Sequence, residues 1–465
     1  MSMNGAAGPL WTGQEIARAC GGVASADFAI SGVAFDSREV GPSDLFIALK
    51  GESTDGHKFI DKAYDAGAAG VLLSARTIDR AHVLVKDTTA ALEDMGRSSR
   101  ARMSGKVIGV TGSVGKTSTK EALFAALDRF RPGRAHRSLK SYNNHVGVPL
   151  SLARMPRDTL FGIFEMGMNH AGELSALTRQ VRPHVAVVTA IAPAHIEFFG
   201  SEEAIARAKA EIFEGLEPGG VAVIPYDSPY RDLLRDVAEK YAAQVITFGL
   251  GEGADVRGVE AVPARNCGTM VCARLPDVEL CYTVASPGDH NVLNSLAVLA
   301  VVNTVGGDLA AAGLALAEME GLPGRGLRST ISAGEGKALL IDESYNANPL
   351  SISATLKQLG RENAARRVAV LGAMKELGSS SEALHAGLAE PIEQAHVDFA
   401  ILVGDEMAPL ADRLAGKVAL EHVADAGAAT RILKERIQAD DAILVKGSNS
   451  VGLSRVVAAL SAGEK

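Results

Sequence analysis

Short β-branched apolar runs alternate along the chain with longer stretches whose apolar residues recur at helical spacing. Strand-like runs fall at 106–110, 160–166, 185–191 and 221–225, with helical stretches between them, for example at 202–214 and 291–303. Strands that alternate with helices predict a parallel sheet covered on both faces. A second alternating set has strands at 338–342, 368–373, 398–403 and 442–446, each followed by a helical stretch. This set predicts a separate Rossmann-like domain. Before residue 105 the signals are shorter. FAISGVAFDSREV and DLFIALKG read as strands with turns, and 57–68 reads as a helix, so this part is expected to be a small α/β module. The run GLPGRGLRS at 321–329 is rich in glycine and is a candidate hinge. The expected class is α/β with three domains, at 1–105, 106–323 and 324–465. A length of 465 residues agrees with a prior of about three domains.

Composition narrows the function classes. Asp plus Glu number 55 against 47 for Lys plus Arg, a net charge of −8, and aromatics are 5%. A nucleic-acid binder would show a basic surplus and base-stacking rings, so that partner is not expected. No apolar run reaches the roughly 18 residues of a membrane span. The start, MSMNGAAGPLWTG, has neither a charged n-region nor an apolar h-region. Cys20, Cys267, Cys272 and Cys281 form no C-x-x-C pair, and no histidine lies near the last three. They read as buried apolar thiols rather than metal ligands. The expectation is a reduced, cytoplasmic protein.

The densest chemistry lies in KVIGVTGSVGKTSTKEAL, residues 106–123. A strand runs into a glycine-rich turn and then a helix, which is the layout of a phosphate-binding loop. Gly112 and Gly115 let the N–H groups of the loop, through Ser113 and Val114, turn inward onto anionic oxygens at a helix N-terminus. Lys116 is placed to reach the terminal phosphates and the Thr117 hydroxyl to ligate Mg²⁺. The usual upstream glycine is displaced by one position, to Gly109, with Val110 in its place.

In an open parallel sheet, ligands gather at the carboxyl ends of the strands. Glu165 ends one strand, and His195 and Glu197 follow another. Carboxylate, imidazole and hydroxyl together suit a Mg²⁺ ion bridging triphosphate oxygens. Lys209, in a helix that Ser201 would cap, reads from its spacing alone as a solvated helix-face lysine. Asn291 and Asn294 share one helix face, where they could read a purine or phosphate edge, or where Asp289 or Asn291 could simply cap the helix. Arg325 and Arg328 flank the hinge as permanent cations suited to phosphate. Asp342 ends a strand, Tyr345, Asn346 and Asn348 follow it, and Lys375 follows the next strand.

Together these residues resemble the Mur ligase family of ATP-dependent amide-forming enzymes. The resemblance rests on GVTGSVGKTSTK, EMGMNHAGE, AHIEFFGS, AKAEIF, GDHNVLNSLA, GLPGRGLR, DESYNANP and VKGS, and it covers nearly the whole chain. The displaced glycine is the family's own form of the loop. The runs SYNNHVGVPLSL and DESYNANP, with the N-terminal FDSREVGPSDLFIALKGESTDGHKFIDKAYDAGA, imply a ligase joining D-alanyl-D-alanine to UDP-N-acetylmuramoyl-tripeptide. The nearest alternative is the family member that adds a diamino acid or lysine, whose Asp-Asn-Pro-Arg run is absent here. A nucleotide-binding switch without ligase chemistry is a third reading. The resemblance implies a UDP-sugar-binding N-terminal domain, a central ATP-binding domain, a C-terminal ligase domain, two Mg²⁺ ions and a monomer. It matches Lys116 and Thr117 to ATP and Mg²⁺, and Glu165 and His195 to metal ligands. It reverses the reading of Lys209, whose counterpart is carbamylated in several members. Asn291, Arg325 and Asp342 match ATP-contacting positions. Ser37, Arg38 and Asn144 match positions expected to contact the UDP-sugar peptide, and Lys375 and Ser448 match positions near the reacting groups. After KGS many relatives carry an arginine and then a glutamate, where this chain has Asn449 and Ser454.

Overall fold

The structure, a computed structural model, describes residues 8–51, 54–194, 196–264 and 268–462. His195 and Cys267 lie outside the described residues. Three larger sheets organise the chain, with a two-stranded ribbon of Trp11–Thr12 and Ala29–Ile30 beside the first. The N-terminal sheet has five strands, with Gly32–Ala34, Asp44–Ile47, Gly70–Leu73 and His82–Leu84 parallel in that order and Val23–Ala24 antiparallel at one edge. The expected helix at 57–68 is shorter and two-part: a 3₁₀ turn, Gly56–Phe59, runs into the helix Ile60–Asp65.

The central sheet has nine strands, seven of them mutually parallel, and Lys106–Thr111 lies between Val185–Val188 and Phe161–Glu165. Val185–Val188 and Phe161–Glu165 are buried along their whole length, which is why they read as continuous apolar runs. The far edge differs from the expected all-parallel sheet. Val256–Pro263, Thr269–Arg274 and Glu279–Val284 extend it as an antiparallel meander. These strands alternate buried and exposed positions and so lack the continuous apolar signal. Within the meander Cys272 and Cys281 face one another in register, with Cα atoms 4.0 Å apart, and are joined as a disulfide. That corrects the expectation of buried, reduced thiols. Pairing on the half-solvated face of a ribbon brings the two sulfurs together, and Cys281 is exposed. Cys20 is a free, half-buried thiol.

The C-terminal sheet runs Leu327–Ala333, Gly336–Glu343, Asp441–Lys446, Arg366–Gly372, Phe399–Val403 and Ala419–Val423, parallel except for its first strand. The glycine-rich segment expected as a hinge is partly strand. Gly324 and Gly326 take φ of 74° and 85° in a tight turn, and Arg328 already belongs to Leu327–Ala333, where it pairs with Glu362 at 2.7 Å.

Helix Gly147–Ala153 is buried throughout and fills the gap between the first two units, lending Leu150 and Ala153 to the N-terminal core. Trp11 donates from its indole to the Ala153 carbonyl at 2.8 Å across that boundary. No helix among the described residues is long and apolar enough to cross a membrane.

The central edge strand Ala135–Arg137 is tied down by His136, whose ring N–H donates to the Ser151 carbonyl at 2.8 Å. Burial pushes the imidazole down to about 4, against a weaker upward pull from that hydrogen bond. The unfolded chain takes up this proton near pH 6.5 and the folded one only near 4, so stability falls as pH drops through that window. The loss approaches about 3 kcal/mol at its lower end. Equilibrium urea unfolding at pH 7 and pH 4.5 should show a smaller difference for His136→Gln than for the wild type.

Candidate active site

The site forms where the strand order reverses in the central sheet, beside the carboxyl end of Lys106–Thr111. Parallel register sets Glu165 opposite Val110, so the strand end at 165 and the start of the phosphate loop share one level. Gly112 has φ of 152°, and a side chain there would collide with Thr189 Oγ1 at 1.9 Å. The loop is laced to the segment after Val185–Val188. Ser113 N donates to Ala190 O at 2.8 Å, Ser113 Oγ to Ala192 O at 2.9 Å, and Thr189 Oγ1 to Val114 O at 2.6 Å. Gly115 then enters the helix Lys116–Phe130 at φ 85°, where a Cβ would meet Asn294 Oδ1 at 2.6 Å. That N-terminus has no side-chain cap, so its N–H groups remain for an anion.

Lys116 folds over the loop and donates to Gly112 O at 2.7 Å. Desolvation lowers its pKa, Glu165 opposes that shift and Arg325 adds to it. Thr117 Oγ1 donates to Glu165 Oε2 at 2.8 Å, and Asn143 Nδ2 donates to Glu165 Oε1 at 2.8 Å. Glu165 itself is fully buried. A hydroxyl and a carboxylate in contact form a hard-oxygen donor pair of the kind that suits Mg²⁺.

Lys209 is 2% exposed in helix Glu202–Ala210, so the solvated-face reading from spacing is corrected. The face that carries it packs inward with Ile205 and Ala206. Burial holds the Lys209 ammonium well below its ordinary range, and the charge of Lys116 depresses it further.

A cleft of about 1000 Å³ opens between the central sheet and the C-terminal unit. Of the residues anticipated from sequence, Ser113, Val114, Gly115, Lys116, Glu165, Lys209, Asn291, Asn294 and Arg325 line it. Helix Asp289–Thr304 starts without a side-chain cap, and Asn291 Nδ2 instead donates to Pro287 O at 2.9 Å. Asp289 turns across the cleft to Lys357 at 2.7 Å and Arg361 at 3.2 Å. Arg325 stacks over Tyr345, 3.9 Å from the ring centroid, and reaches Ser141 Oγ at 3.3 Å. Gly112 and Thr117 stand just behind the wall.

Other anticipated residues sit elsewhere. Asp342 is buried with its oxygens taken by Gly324 N at 2.7 Å, Ser344 N at 3.1 Å and Ser344 Oγ at 2.6 Å, so it fixes the turn that carries Arg325. Lys375 pairs with Glu406, while its backbone N–H donates to Ser448 Oγ at 3.0 Å, which joins these two outside the cleft lining. Ser37 is buried, and Arg38 is exposed against Asp36. Asn144 accepts from Gly147 N at 2.9 Å and from Val146 N at 3.2 Å and starts the helix there. Next to these residues Tyr142 donates to Glu39 at 2.9 Å, which closes the N-terminal module onto the central unit.

Sequence reasoning missed Asn143, His290, Glu343 and Lys446, all on the cleft wall. Lys446 is 3% exposed at its side chain and bonds Glu343 Oε2 at 3.2 Å and Asn346 O at 3.1 Å. Asn143 and Lys446 belong to the runs SYNNHVGVPLSL and VKGS, in which the neighbouring Asn144 and Ser448 were singled out. Nothing in the sequence decides which of two nearby polar residues points inward.

Fold and site define a three-unit α/β protein with a phosphate loop facing the C-terminal unit across a cleft, the architecture of an ATP-dependent ligase. Residues 29–104 match the Mur ligase family catalytic domain, 110–302 the Mur ligase middle domain and 328–449 the Mur ligase glutamate ligase domain. The chain belongs to the Mur ligase family. It is 35% identical to the UDP-N-acetylmuramoyl-tripeptide–D-alanyl-D-alanine ligase of Escherichia coli over 95% of this chain and 96% of that one. A crystal structure of MurF from Acinetobacter baumannii matches with a TM-score of 0.83 at 31% identity, covering 97% and 98% of the two chains. MurF ligase from Thermotoga maritima in complex with ADP matches with a TM-score of 0.77 at 28% identity, covering 93% and 97%.

Proposed function

We propose that the protein joins D-alanyl-D-alanine to UDP-N-acetylmuramoyl-tripeptide at the expense of ATP, in the synthesis of the peptidoglycan precursor. The observation that carries the reading is one cleft that brings the phosphate loop, Glu165 and Lys209 on one wall against Arg325 on the other. A triphosphate held by the loop is thereby placed where a second anion can meet it. The likeness to the Escherichia coli enzyme along nearly the whole of both chains supports the choice of substrates.

The terminal carboxylate of the tripeptide attacks the γ-phosphorus of ATP, which gives an acyl phosphate and ADP. The D-alanyl-D-alanine amine attacks the acyl carbon, and the tetrahedral adduct collapses to the amide with loss of phosphate and a proton. Side chains contribute mainly position and charge. Lys116 leaves the Gly112 carbonyl for the terminal phosphates, the helix N–H groups hold the phosphate chain, and Arg325 offsets the meeting of two anions. Thr117 and Glu165, with His195, would hold Mg²⁺, which neutralises phosphate charge when bound. Lys209 is a buried amine whose surroundings favour the neutral form, and a neutral amine adds to CO₂ and releases a proton. The resulting carbamate is an anionic ligand suited to a second Mg²⁺. Asn291 and Asn294 bind the nucleotide beside the loop. Asp342 positions Arg325, and Lys375 and Ser448 lie near the incoming amine. Ser37, Arg38 and Asn144 contact the UDP-sugar peptide.

The units follow as 1–105 for the UDP-sugar, 106–323 for ATP and 324–465 for closure and the amine, acting in a cytoplasmic monomer. Phosphate release measured with each amine in turn tests this reading. D-alanyl-D-alanine should support turnover, and meso-diaminopimelate or L-lysine should not. Turnover with either of the latter, or nucleotide binding with no amine-dependent turnover, contradicts it.

A further inference from the structure

The ligase chemistry gives no role to Lys120, a fully buried charge. Lys120 lies one turn into the phosphate-loop helix, 0% exposed. Its ammonium donates to Ser138 O at 2.9 Å and to Lys140 O at 2.7 Å. Two carboxylates stand nearby, Glu121 at 3.1 Å and Glu165 Oε2 at 3.8 Å. Taking charges out of water costs several kcal/mol per ion even when they are paired, and an apolar side chain would fill the same space without that cost.

The segment it holds touches every unit of the protein. Ser138 Oγ accepts from Glu165 N at 3.2 Å. Lys140, at φ 51°, and Tyr142 both reach Glu39 of the N-terminal module. Ser141 meets Arg325 of the C-terminal unit at 3.3 Å, and Asn143 bonds Glu165 at 2.8 Å. Four consecutive residues thus face three different parts of the site. Backbone bonds to the sheet side hold only the two ends of the segment, Ser138 N on Ile163 O at 3.0 Å and Asn143 O on Gly167 N at 2.8 Å, while Leu139 between them is 45% exposed.

We propose that Lys120 is a positioning residue for the ligation: it anchors segment 138–143 to the phosphate-loop helix, and so sets Asn143 against Glu165, Ser141 against Arg325 and Tyr142 against Glu39. Through this anchor the phosphate loop and the N-terminal module share one reference frame. The proposal rests on the ligase reading for its kinetic arm only. Its structural arm is read on the ligand-free protein, so a failure of one is distinguishable from a failure of the other.

Lys120→Met tests it. Amide hydrogen exchange of the ligand-free variant should accelerate at least about tenfold at Ser138 and Tyr142, whose N–H groups donate to Ile163 O at 3.0 Å and Leu139 O at 3.3 Å, while helix Lys116–Phe130 keeps its protection. With substrates, kcat should fall about 10- to 100-fold, and KM should rise for both ATP and the UDP-linked substrate, because a displacement of about 1 Å is enough for such a loss. Wild-type exchange at Ser138 and Tyr142, or a KM change confined to one substrate, overturns the proposal. If Lys120→Met does not fold, Asn143→Ala decides. Residue 143 is half-buried in a loop, and its loss should reproduce the fall in kcat while leaving Ser138 protected by its bond to Ile163 O. Wild-type kinetics in Asn143→Ala would remove the segment from the site and the proposal with it.

Discussion

Lys116→Ala should lower amine-dependent phosphate release by about 10²–10³, the scale of one lost preorganised electrostatic contact, or about 3–4 kcal/mol of transition-state stabilisation. In the free protein the ammonium is parked on the Gly112 carbonyl at 2.7 Å, a contact it can exchange for a phosphate oxygen without leaving the loop. The variant should not be less stable. Desolvation disfavours the charged form of Lys116 in the folded site, with Glu165 only partly offsetting it, so removing the ammonium removes a cost. A thermal melt unchanged or slightly raised, together with the lost rate, separates a catalytic defect from a folding one. A variant that keeps wild-type turnover would take Lys116 out of the reaction.

The second large effect is expected at Lys209. Lys209→Ala should cost about 10²-fold in kcat, again the scale of one electrostatic contact. The distinguishing result is partial recovery on adding short carboxylic acids, which can occupy the space left by the side chain and supply the anionic oxygens that a carbamate would provide. The geometry motivates this. A lysine 2% exposed, with its charge depressed by burial and by Lys116, is poorly explained as a cation. As a carbamate it would be attracted to Lys116 instead of repelled by it. Near-wild-type activity of the variant, with no response to added acid, would exclude Lys209 from the chemistry.

These two residues also show what the sequence makes legible. Lys116 is readable because its chemistry is local: strand, glycine turn, lysine, helix. Lys209 is not readable by spacing. Helix Glu202–Ala210 carries glutamates and an arginine around it, and only the packing of Ile205 and Ala206 turns that face inward. The resemblance to the Mur ligases, not periodicity, singled it out. The parallel strands of the central sheet were legible because burial on both faces leaves unbroken apolar runs. The meander from Val256–Pro263 to Glu279–Val284 was not, since half its positions face solvent, and its disulfide follows from a cross-strand register that no cysteine spacing announces. The same limit applies at the cleft. The runs holding Asn143 and Lys446 were recognised, but which residue of each reaches the cavity depends on loop geometry. Asp342 shows the same limit: its place at a strand end does not announce that its carboxylate holds the turn at Gly324 that carries Arg325.

The central claim is that the phosphate loop serves to activate a carboxylate. UDP-N-acetylmuramoyl-tripeptide labelled with ¹⁸O in both oxygens of its terminal carboxylate tests this when turned over with ATP and D-alanyl-D-alanine in unlabelled water. An acyl phosphate passes one carboxylate oxygen to the departing phosphate, so mass spectrometry should find one ¹⁸O atom in the released phosphate and one in the new amide. Released phosphate that carries only solvent oxygen would contradict the account.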